Sequence, residues 1–231
     1  MKKILYYVFI ALILISSSCD KIDNYEIPKE ILQGKLIDEK TGESFITEQP
    51  NGFRIMMKEI SYKDNPQPEY FWGKADGTFY NKRIFKGKYE ITPIEGAFFP
   101  VEKKTLDIDG NATVDFIVTP YLSISELSVK TINDQTIEVS YRLSRNKVGD
   151  KIIDTRVFVS QNPNVGANIF DNKKSPIINL NATSDVDILK TTFRQTISNL
   201  EKGTTYYLRV GARTNNLQKR YNFTKIIEHK N

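Results

Sequence analysis

The sequence predicts an all-β protein built from two tandem antiparallel β-sandwiches. Apolar and polar residues alternate with a period of two in many short runs, which is the pattern of half-buried strands. Asp-Gly pairs at 76–77 and 109–110 lie between such runs and favour the positive φ angles of tight hairpin turns. Thr119-Pro120 then interrupts the pattern, because proline cannot donate to a sheet ladder, and a second series of strands follows.

The chain begins with the pattern of a cleaved secretory leader. Lys2 and Lys3 precede an apolar stretch, residues 4–15, that is too short to cross a bilayer as a helix. Three serines at 16–18 then precede Cys19, the single cysteine of the chain. We therefore expect residues 1–18 to be a lipoprotein signal peptide and Cys19 to carry lipid. A structural thiol at Cys19 is the alternative, but a buried cysteine belongs in a periodic core segment.

Residues 19–30 are polar and aperiodic, and we expect them to be a tether that leads to the first sandwich at 31–119. The strands of this sandwich are predicted at 31–38, 53–60, 70–74, 78–83, 88–92 and 112–119. The last of these places apolar residues on one face and polar residues on the other: Ala112, Val114, Phe116 and Val118 against Thr113, Asp115 and Thr119.

The second sandwich is expected at residues 120–231. Alternation is clear over 136–143 and continues over 153–159, whereas 161–187 is rich in asparagine and is predicted to be a loop with one short strand at 177–180. Near the end, Leu200, Gly203 and Tyr206 have a spacing that resembles the end of a fibronectin type III domain. The resemblance implies that the Tyr206 hydroxyl bonds back to the preceding turn, as a tyrosine corner. The alternative is an ordinary strand after a glycine turn.

The first half carries a second resemblance, in the segments Asp-Asn-Tyr-Glu-Ile-Pro at 23–28, Gly-Lys-Leu-Ile-Asp at 34–38, Thr-Gly-Glu at 41–43, Thr-Glu-Gln-Pro-Asn-Gly at 47–52 and Asp-Gly-Thr-Phe at 76–79. Together with the second sandwich, these resemble a Bacteroidetes outer-membrane lipoprotein family of unknown function. The resemblance implies a carboxypeptidase-regulatory-like (prealbumin-like) domain followed by an immunoglobulin-like or fibronectin-III-like one. It also implies a neighbourhood of SusC/SusD-type polysaccharide uptake systems, and it transfers no catalytic or binding residues.

Composition excludes several classes of function. The formal net charge falls from +5 to +3 once Lys2 and Lys3 leave with the leader, and both signs are mixed along the chain, so a nucleic-acid partner is not expected. An acylated Cys19 leaves no thiol for a disulfide. The single histidine, His229, rules out a histidine-rich metal site, and we expect no cofactor. A carboxylate pair of glycosidase type stays open, because 28 acidic residues offer many pairings, although we expect no enzyme.

Asp107, Asp109 and Asn111 have the alternate spacing of the first half of a calcium-binding loop. Gly110 is misplaced for such a loop and Val118 stands where the closing glutamate belongs. A turn is the better interpretation of this segment.

Carbohydrate binding is the candidate chemistry, because aromatic faces stack on the C–H groups of sugars. If Asp76-Gly77 closes a hairpin, Tyr70, Trp72 and Phe79 share one of its faces. Packing of all three in the core is the interpretation that strand statistics favour. Tyr62, beside the loop at 64–68, is a second candidate.

The functional hypothesis from sequence is a noncatalytic, lipid-anchored outer-membrane protein, held at the cell surface rather than the periplasmic face, that assists polysaccharide binding or uptake. Its rival is a structural or protein-interaction spacer that docks to an outer-membrane complex without touching glycan.

Overall fold

The computed structural model describes residues 26–62 and 65–231, so the predicted signal peptide and Cys19 lie outside the described residues. Within them the chain forms β-strands and one short helix, arranged as two sandwiches in tandem, and the all-β fold class is confirmed. No helix in this part of the chain is long and apolar enough to cross a membrane.

The first sandwich holds eight strands in two sheets. In one sheet β1 pairs antiparallel with β4 on one side and parallel with β7 and β8 on the other, and the second sheet has the order β3-β2-β5-β6. The strands are β1 Glu30–Asp38, β2 Arg54–Glu59, β3 Glu69–Trp72, β4 Thr78–Ile84, β5 Gly87–Ile94, β6 Lys104–Ile108, β7 Asn111–Thr113 and β8 Phe116–Val118. The sequence did not predict β6.

The predicted single strand at 112–119 is wrong in one respect, because it is broken into β7 and β8. At the break the side chain of Asp115 accepts the backbone N–H of Lys35 at 2.9 Å, in place of a main-chain carbonyl. Gly34 lets the displaced backbone come close, since a Cβ at this position would lie 1.8 Å from the carbonyl oxygen of Val114. Val114 and Phe116 nevertheless point into the core, so the predicted apolar face survives the break.

The Asp-Gly pairs form tight turns, with φ of +80° at Gly77 and +93° at Gly110, but the hairpin prediction is wrong. Each turn carries the chain from one sheet to the other, from β3 to β4 and from β6 to β7. Strands β3 and β4 therefore do not pair, and Trp72 does not share a face with Phe79.

The second sandwich places β13-β10-β9 in one sheet and β12-β11-β14 in the other, with β15 and β16 both paired to the far side of β14. Its elements are β9 Ser123–Asn133, β10 Thr136–Ser144, β11 Ile152–Ser160, β12 Ile178–Asn179, α1 Asp185–Lys190, β13 Thr192–Ile197, β14 Thr205–Thr214, β15 Tyr221–Phe223 and β16 Ile227–Lys230.

The predicted loop at 161–187 contains the expected short strand, as β12, but it runs into a helix that the sequence reasoning missed. Ser184 caps α1 by accepting the N–H of Asp187, and Ile188 is buried against the core. A serine followed three residues later by an acid is a helix start signal.

Each sandwich has its own apolar core. Alternating residues of facing sheets fill both cores, including Leu32, Phe53, Ile55, Phe79, Ile91 and Phe116 in the first and Ile137, Val139, Tyr141, Val157, Leu208 and Val210 in the second. At the end of the second core, the hydroxyl of the buried Tyr206 accepts the N–H of Glu201 at 3.1 Å. This is the geometry of a tyrosine corner.

Candidate functional site

Two aromatic side chains lie open on the outer face of the sheet β3-β2-β5-β6. Tyr70 and Trp72 sit two residues apart on β3 and are 45% and 43% exposed, while Phe71 between them packs against the core. The expectation that Tyr70 and Trp72 are core residues is therefore wrong. The physical reason is the crossing at Asp76-Gly77, because β3 is an edge strand of its own sheet and alternation turns these two rings outward.

Arg54, on the neighbouring strand β2, holds these rings in place. It pairs directly with Trp72 in the register, and its guanidinium carbon lies 4.5 Å from the ring centre of Tyr70 and 5.5 Å from that of Trp72. Such cation–π contacts fix the orientation of both partners. We call the set of Tyr70, Trp72 and Arg54 the aromatic face.

Glu95 orients Arg54 in turn. The Arg54 Nε–H donates to one carboxylate oxygen of Glu95 at 2.7 Å, and a second guanidinium N–H donates to the other oxygen. These hydrogen bonds raise the pKa of Arg54 above its ordinary value. Glu95 follows β5 with a positive φ of 61°, which turns its backbone at the edge of the face. The bidentate pair also means that the charge of Arg54 is already neutralised.

The second domain reaches the same region through the loop between β14 and β15. The guanidinium carbon of Arg220 lies 6.0 Å from the ring centre of Trp72. Asn216 shapes the loop, because its side-chain oxygen accepts the N–H groups of Gln218 and Lys219. Arg220 is thus presented from a compact turn directly before β15.

A groove between the two domains begins beside the aromatic face and has a volume of about 250 Å³. Glu95 and Ile94 border it on the side of the first domain, and the loop at 216–218 borders it on the other. Its floor includes Phe98 and Tyr121. Apolar walls with a few convergent polar groups are typical of small-molecule sites.

Buried hydrogen bonds join the two domains near this groove. The side chain of Asn222 donates to the carbonyl of Ala97 at 2.7 Å and accepts the N–H of Leu122 at 3.0 Å. Next to it, the rings of Phe99 and Tyr121 meet edge to face with their centres 4.9 Å apart. The amide side chain of Asn222 therefore ties the start of the second domain to the end of β5 and the segment that follows it.

A second buried contact joins the domains around Arg209. Its guanidinium donates to the carbonyl of Thr47 at 3.0 Å and to that of Thr224 at 3.1 Å. Burial lowers the pKa of Arg209 to about 10. Burial likewise raises the pKa of nearby Glu48, whose carboxylate accepts the N–H of Ala167 at 2.9 Å. The hydrogen bonds of Arg209 and Glu48 therefore cross the domain boundary and fix one relative placement of the domains.

The structure separates Tyr62 from the aromatic face. Tyr62 is 84% exposed and lies beyond Glu59, at the opposite end of β2 from Arg54, roughly 17 Å away by the rise of a strand. There it lines a different cavity, of about 640 Å³, together with Phe85 and Tyr89. Tyr62 and Trp72 therefore belong to two separate surfaces.

Sequence reasoning found Tyr70 and Trp72 but missed Arg54, Glu95 and Arg220. Nothing in the sequence marks these three charged residues, since their role depends on the pairing of β2 with β3 and on the placement of the second domain. In residues 26–62 and 65–231 no group of histidine, cysteine, aspartate and glutamate side chains is arranged to hold a metal ion.

Comparison with protein families gives two matches. Residues 30–119 match the model described as the N-terminal domain of a protein of unknown function, DUF3823, and residues 122–228 match a domain of unknown function, DUF3823_C. A comparison with curated proteins gives no match.

Solved structures similar to this chain have the same architecture. A DUF3823 family protein from Bacteroides uniformis is 24% identical, with 88% of this chain and 99% of that chain covered and a TM-score of 0.75. A "putative carbohydrate binding protein" from the same species is 21% identical, with 88% and 100% covered and a TM-score of 0.70. A DUF3823 family protein from Parabacteroides merdae is 19% identical, with 89% and 100% covered and a TM-score of 0.70. At these identities the similarity establishes the fold alone.

Proposed function

The chain belongs to the DUF3823 family, and from this premise we propose that it is a noncatalytic, lipid-anchored protein of the cell envelope that binds carbohydrate at its aromatic face. The observation that carries the proposal is the exposure of Tyr70 and Trp72 side by side on a rigid strand, beside a groove between the domains. An exposed apolar patch on a folded domain marks an interaction site more often than chance. The description of one similar structure as carbohydrate binding agrees with this proposal.

The chemistry of the face suits a sugar ring. The two aromatic rings offer flat apolar surface to the C–H groups of a pyranose, and the Arg54–Glu95 pair offers donors and acceptors to its hydroxyl groups. Because Arg54 is held by Glu95 and both rings are held by Arg54, binding orders few side chains and loses little entropy.

Binding is tested on the chain without its first 18 residues and with Cys19→Ser, which keeps it in solution. We expect binding on an array of neutral and acidic oligosaccharides, followed by titration calorimetry with the best ligand. Trp72→Ala should weaken binding by about tenfold, since a stacked aromatic ring contributes up to about 1.5 kcal/mol beyond the area that it buries. Tyr80→Ala is the matched control, because Tyr80 is also 45% exposed but lies on β4, in the opposite sheet.

Two outcomes contradict the proposal for this face. One is that no oligosaccharide of the array binds, and the other is that Trp72→Ala binds as tightly as the parent chain. A third variant, Tyr62→Ala, separates the two surfaces: a loss of binding there with none for Trp72→Ala moves the site to the cavity lined by Tyr62.

The anchor is proposed from the sequence pattern around Cys19. Each buried methylene of an acyl chain contributes about 0.8 kcal/mol, so two or more chains hold a protein to a membrane almost irreversibly. Cys19→Ser should move the protein from the membrane fraction to the soluble fraction. Protease treatment of intact cells should then degrade the wild-type protein if it faces outward from the outer membrane, and protection would place it on the periplasmic side.

A protein-interaction or spacer role is the second candidate, and the closed interface between the domains favours it. Asn222 and Arg209 fix the two sandwiches relative to each other through buried hydrogen bonds, as a rigid connector requires. A reproducible partner of SusC/SusD type recovered from solubilised membranes, with no dependence on sugar, would support this role over glycan binding.

A further inference from the structure

We propose that the aromatic face takes a negatively charged sugar, whose carboxylate or sulfate is bound by Arg220 while its ring stacks on Trp72. This inference rests on the proposed function and adds the class of sugar. It follows from the charged residues around the aromatic face. The first domain contributes the neutral Arg54–Glu95 pair, whereas the second domain contributes the positively charged Arg220.

The first step is the charge balance. Arg54 is neutralised by Glu95, and the aromatic face has no net charge from this pair. In the part of the chain that the structure describes, no carboxylate forms an ion pair with Arg220, and its buried Nε has no hydrogen-bond partner there. Arg220 is therefore a half-buried cation that makes no direct ion pair within these residues.

The second step concerns the nearest acidic groups. Glu95 is already bonded to Arg54 through both oxygens. Burial raises the pKa of Glu48, and the charges of Arg209 and Arg220 oppose that shift, but the carboxylate of Glu48 accepts the N–H of Ala167. The single negative charge of Glu48 is thus shared between Arg209 and Arg220, and Glu95 is paired with Arg54, so the region keeps an excess of positive charge that an anion from outside the chain can balance.

The third step is geometry. Arg220 is contributed by the second domain, and its guanidinium lies 6.0 Å from the ring centre of Trp72, on the first domain. A guanidinium presents five donors in a planar fork that matches the two oxygens of a carboxylate or sulfate. The turn at Asn216, which accepts two backbone N–H groups, and the positive φ of 49° at Lys219 hold this arginine at a defined place. A sugar ring that stacks on the exposed part of Trp72 therefore has the Arg220 guanidinium within reach.

The test uses matched pairs of oligosaccharides that differ only in charge. Tetragalacturonate is compared with its methyl ester, and a sulfated carrageenan tetrasaccharide with its neutral desulfated form, by titration calorimetry. We expect the charged member of at least one pair to bind about 10–100-fold more tightly, as for a charge-assisted hydrogen bond. The preference should shrink between about 50 mM and about 500 mM salt, because screening weakens the ion pair.

Substitutions then assign the preference to a residue. Arg220→Gln should abolish the preference for the charged member of a pair, and Arg220→Lys should restore part of it. Trp72→Ala should weaken both members of a pair alike. Lys202→Gln is the control for a lost positive charge, because Lys202 is 82% exposed and pairs with Asp134 at the far end of the second domain.

The outcomes separate this inference from the proposed function. If neutral and charged members bind equally well, or if Arg220→Gln keeps the preference, the charged-sugar inference is wrong and carbohydrate binding stands. If none of the four probes binds, the inference is overturned, and the wider array then decides whether the aromatic face binds carbohydrate. Preference for the uronate over the sulfate, or the reverse, identifies which anionic group Arg220 recognises.

Discussion

Removal of one oxygen atom at Tyr206 should destabilise the second domain measurably. Tyr206 is 2% exposed, and its hydroxyl accepts the N–H of Glu201 at 3.1 Å in the turn that precedes β14. Tyr206→Phe keeps the ring and removes this acceptor, which leaves a partly buried N–H without its partner. The loss should amount to about 1–2 kcal/mol of unfolding free energy.

Calorimetry can measure this change as a shift of the unfolding temperature. A loss of about 1 kcal/mol lowers Tm by about 2–4 °C for two coupled domains that unfold together. The adjacent Tyr207 is the control, since it is half-buried and its hydroxyl makes no hydrogen bond within the described residues. Tyr207→Phe should therefore change Tm by less than half as much. Equal shifts for the two variants would refute the reasoning, because the effect would then belong to tyrosine in general and not to the corner.

Three further predictions concern backbone space, pH and the domain interface. Gly34→Ala should lower the free energy of unfolding by about 3 kcal/mol or more, because its new methyl would lie 1.8 Å from the carbonyl oxygen of Val114, whereas Gly42→Ala, which meets open space at φ +70°, should lower it by about 1–2 kcal/mol. Urea titrations followed by the fluorescence of the single tryptophan measure both losses, and similar values would argue against a close approach at Gly34. Burial raises the pKa of Tyr141 to about 12, so the folded state favours the neutral phenol. The resulting stabilisation is complete below the unfolded pKa of about 10 and is lost as the pH rises from there to 12. Tyr141→Phe should therefore flatten the fall of stability across that pH range, and an unchanged slope would contradict the assignment. Asn222→Ala leaves a buried carbonyl and a buried N–H unpaired and should lower the free energy of unfolding by about 2–4 kcal/mol. If the side chain couples the domains, the single calorimetric transition should split into two, and a single transition at the wild-type Tm would exclude that coupling.

The sequence was sufficient for the fold class because each strand of a sandwich carries its own period-two signal. The signal is local, and so it placed β1, β2, β10 and β11 within one or two residues. It failed where pairing is decided at a distance. An Asp-Gly pair at 76–77 specifies the backbone of a turn, and it does not specify whether the next strand folds back beside the last one or crosses to the facing sheet.

The same limit explains the candidate site. Trp72 could be singled out as an aromatic residue in a strand, but its exposure depends on β3 being an edge strand. Arg54 reaches Trp72 through the pairing of β2 with β3, and Arg220 reaches it through the placement of the second domain, nearly 150 residues later in the chain. Contacts between residues so far apart in the chain produce no periodic pattern in the sequence.

The parallel pairing of β1 with β7 and β8 has a consequence for biogenesis. The backbone N–H of Lys35 in β1 donates to Asp115, 80 residues later in the chain. During N-to-C synthesis or export, one edge of β1 therefore stays unpaired until almost the whole first domain has emerged. Until then β1 presents unpaired N–H and C=O groups to any other extended chain. Chaperones that shield strand edges should therefore bind chains that stop before residue 111 and release those that continue past residue 118.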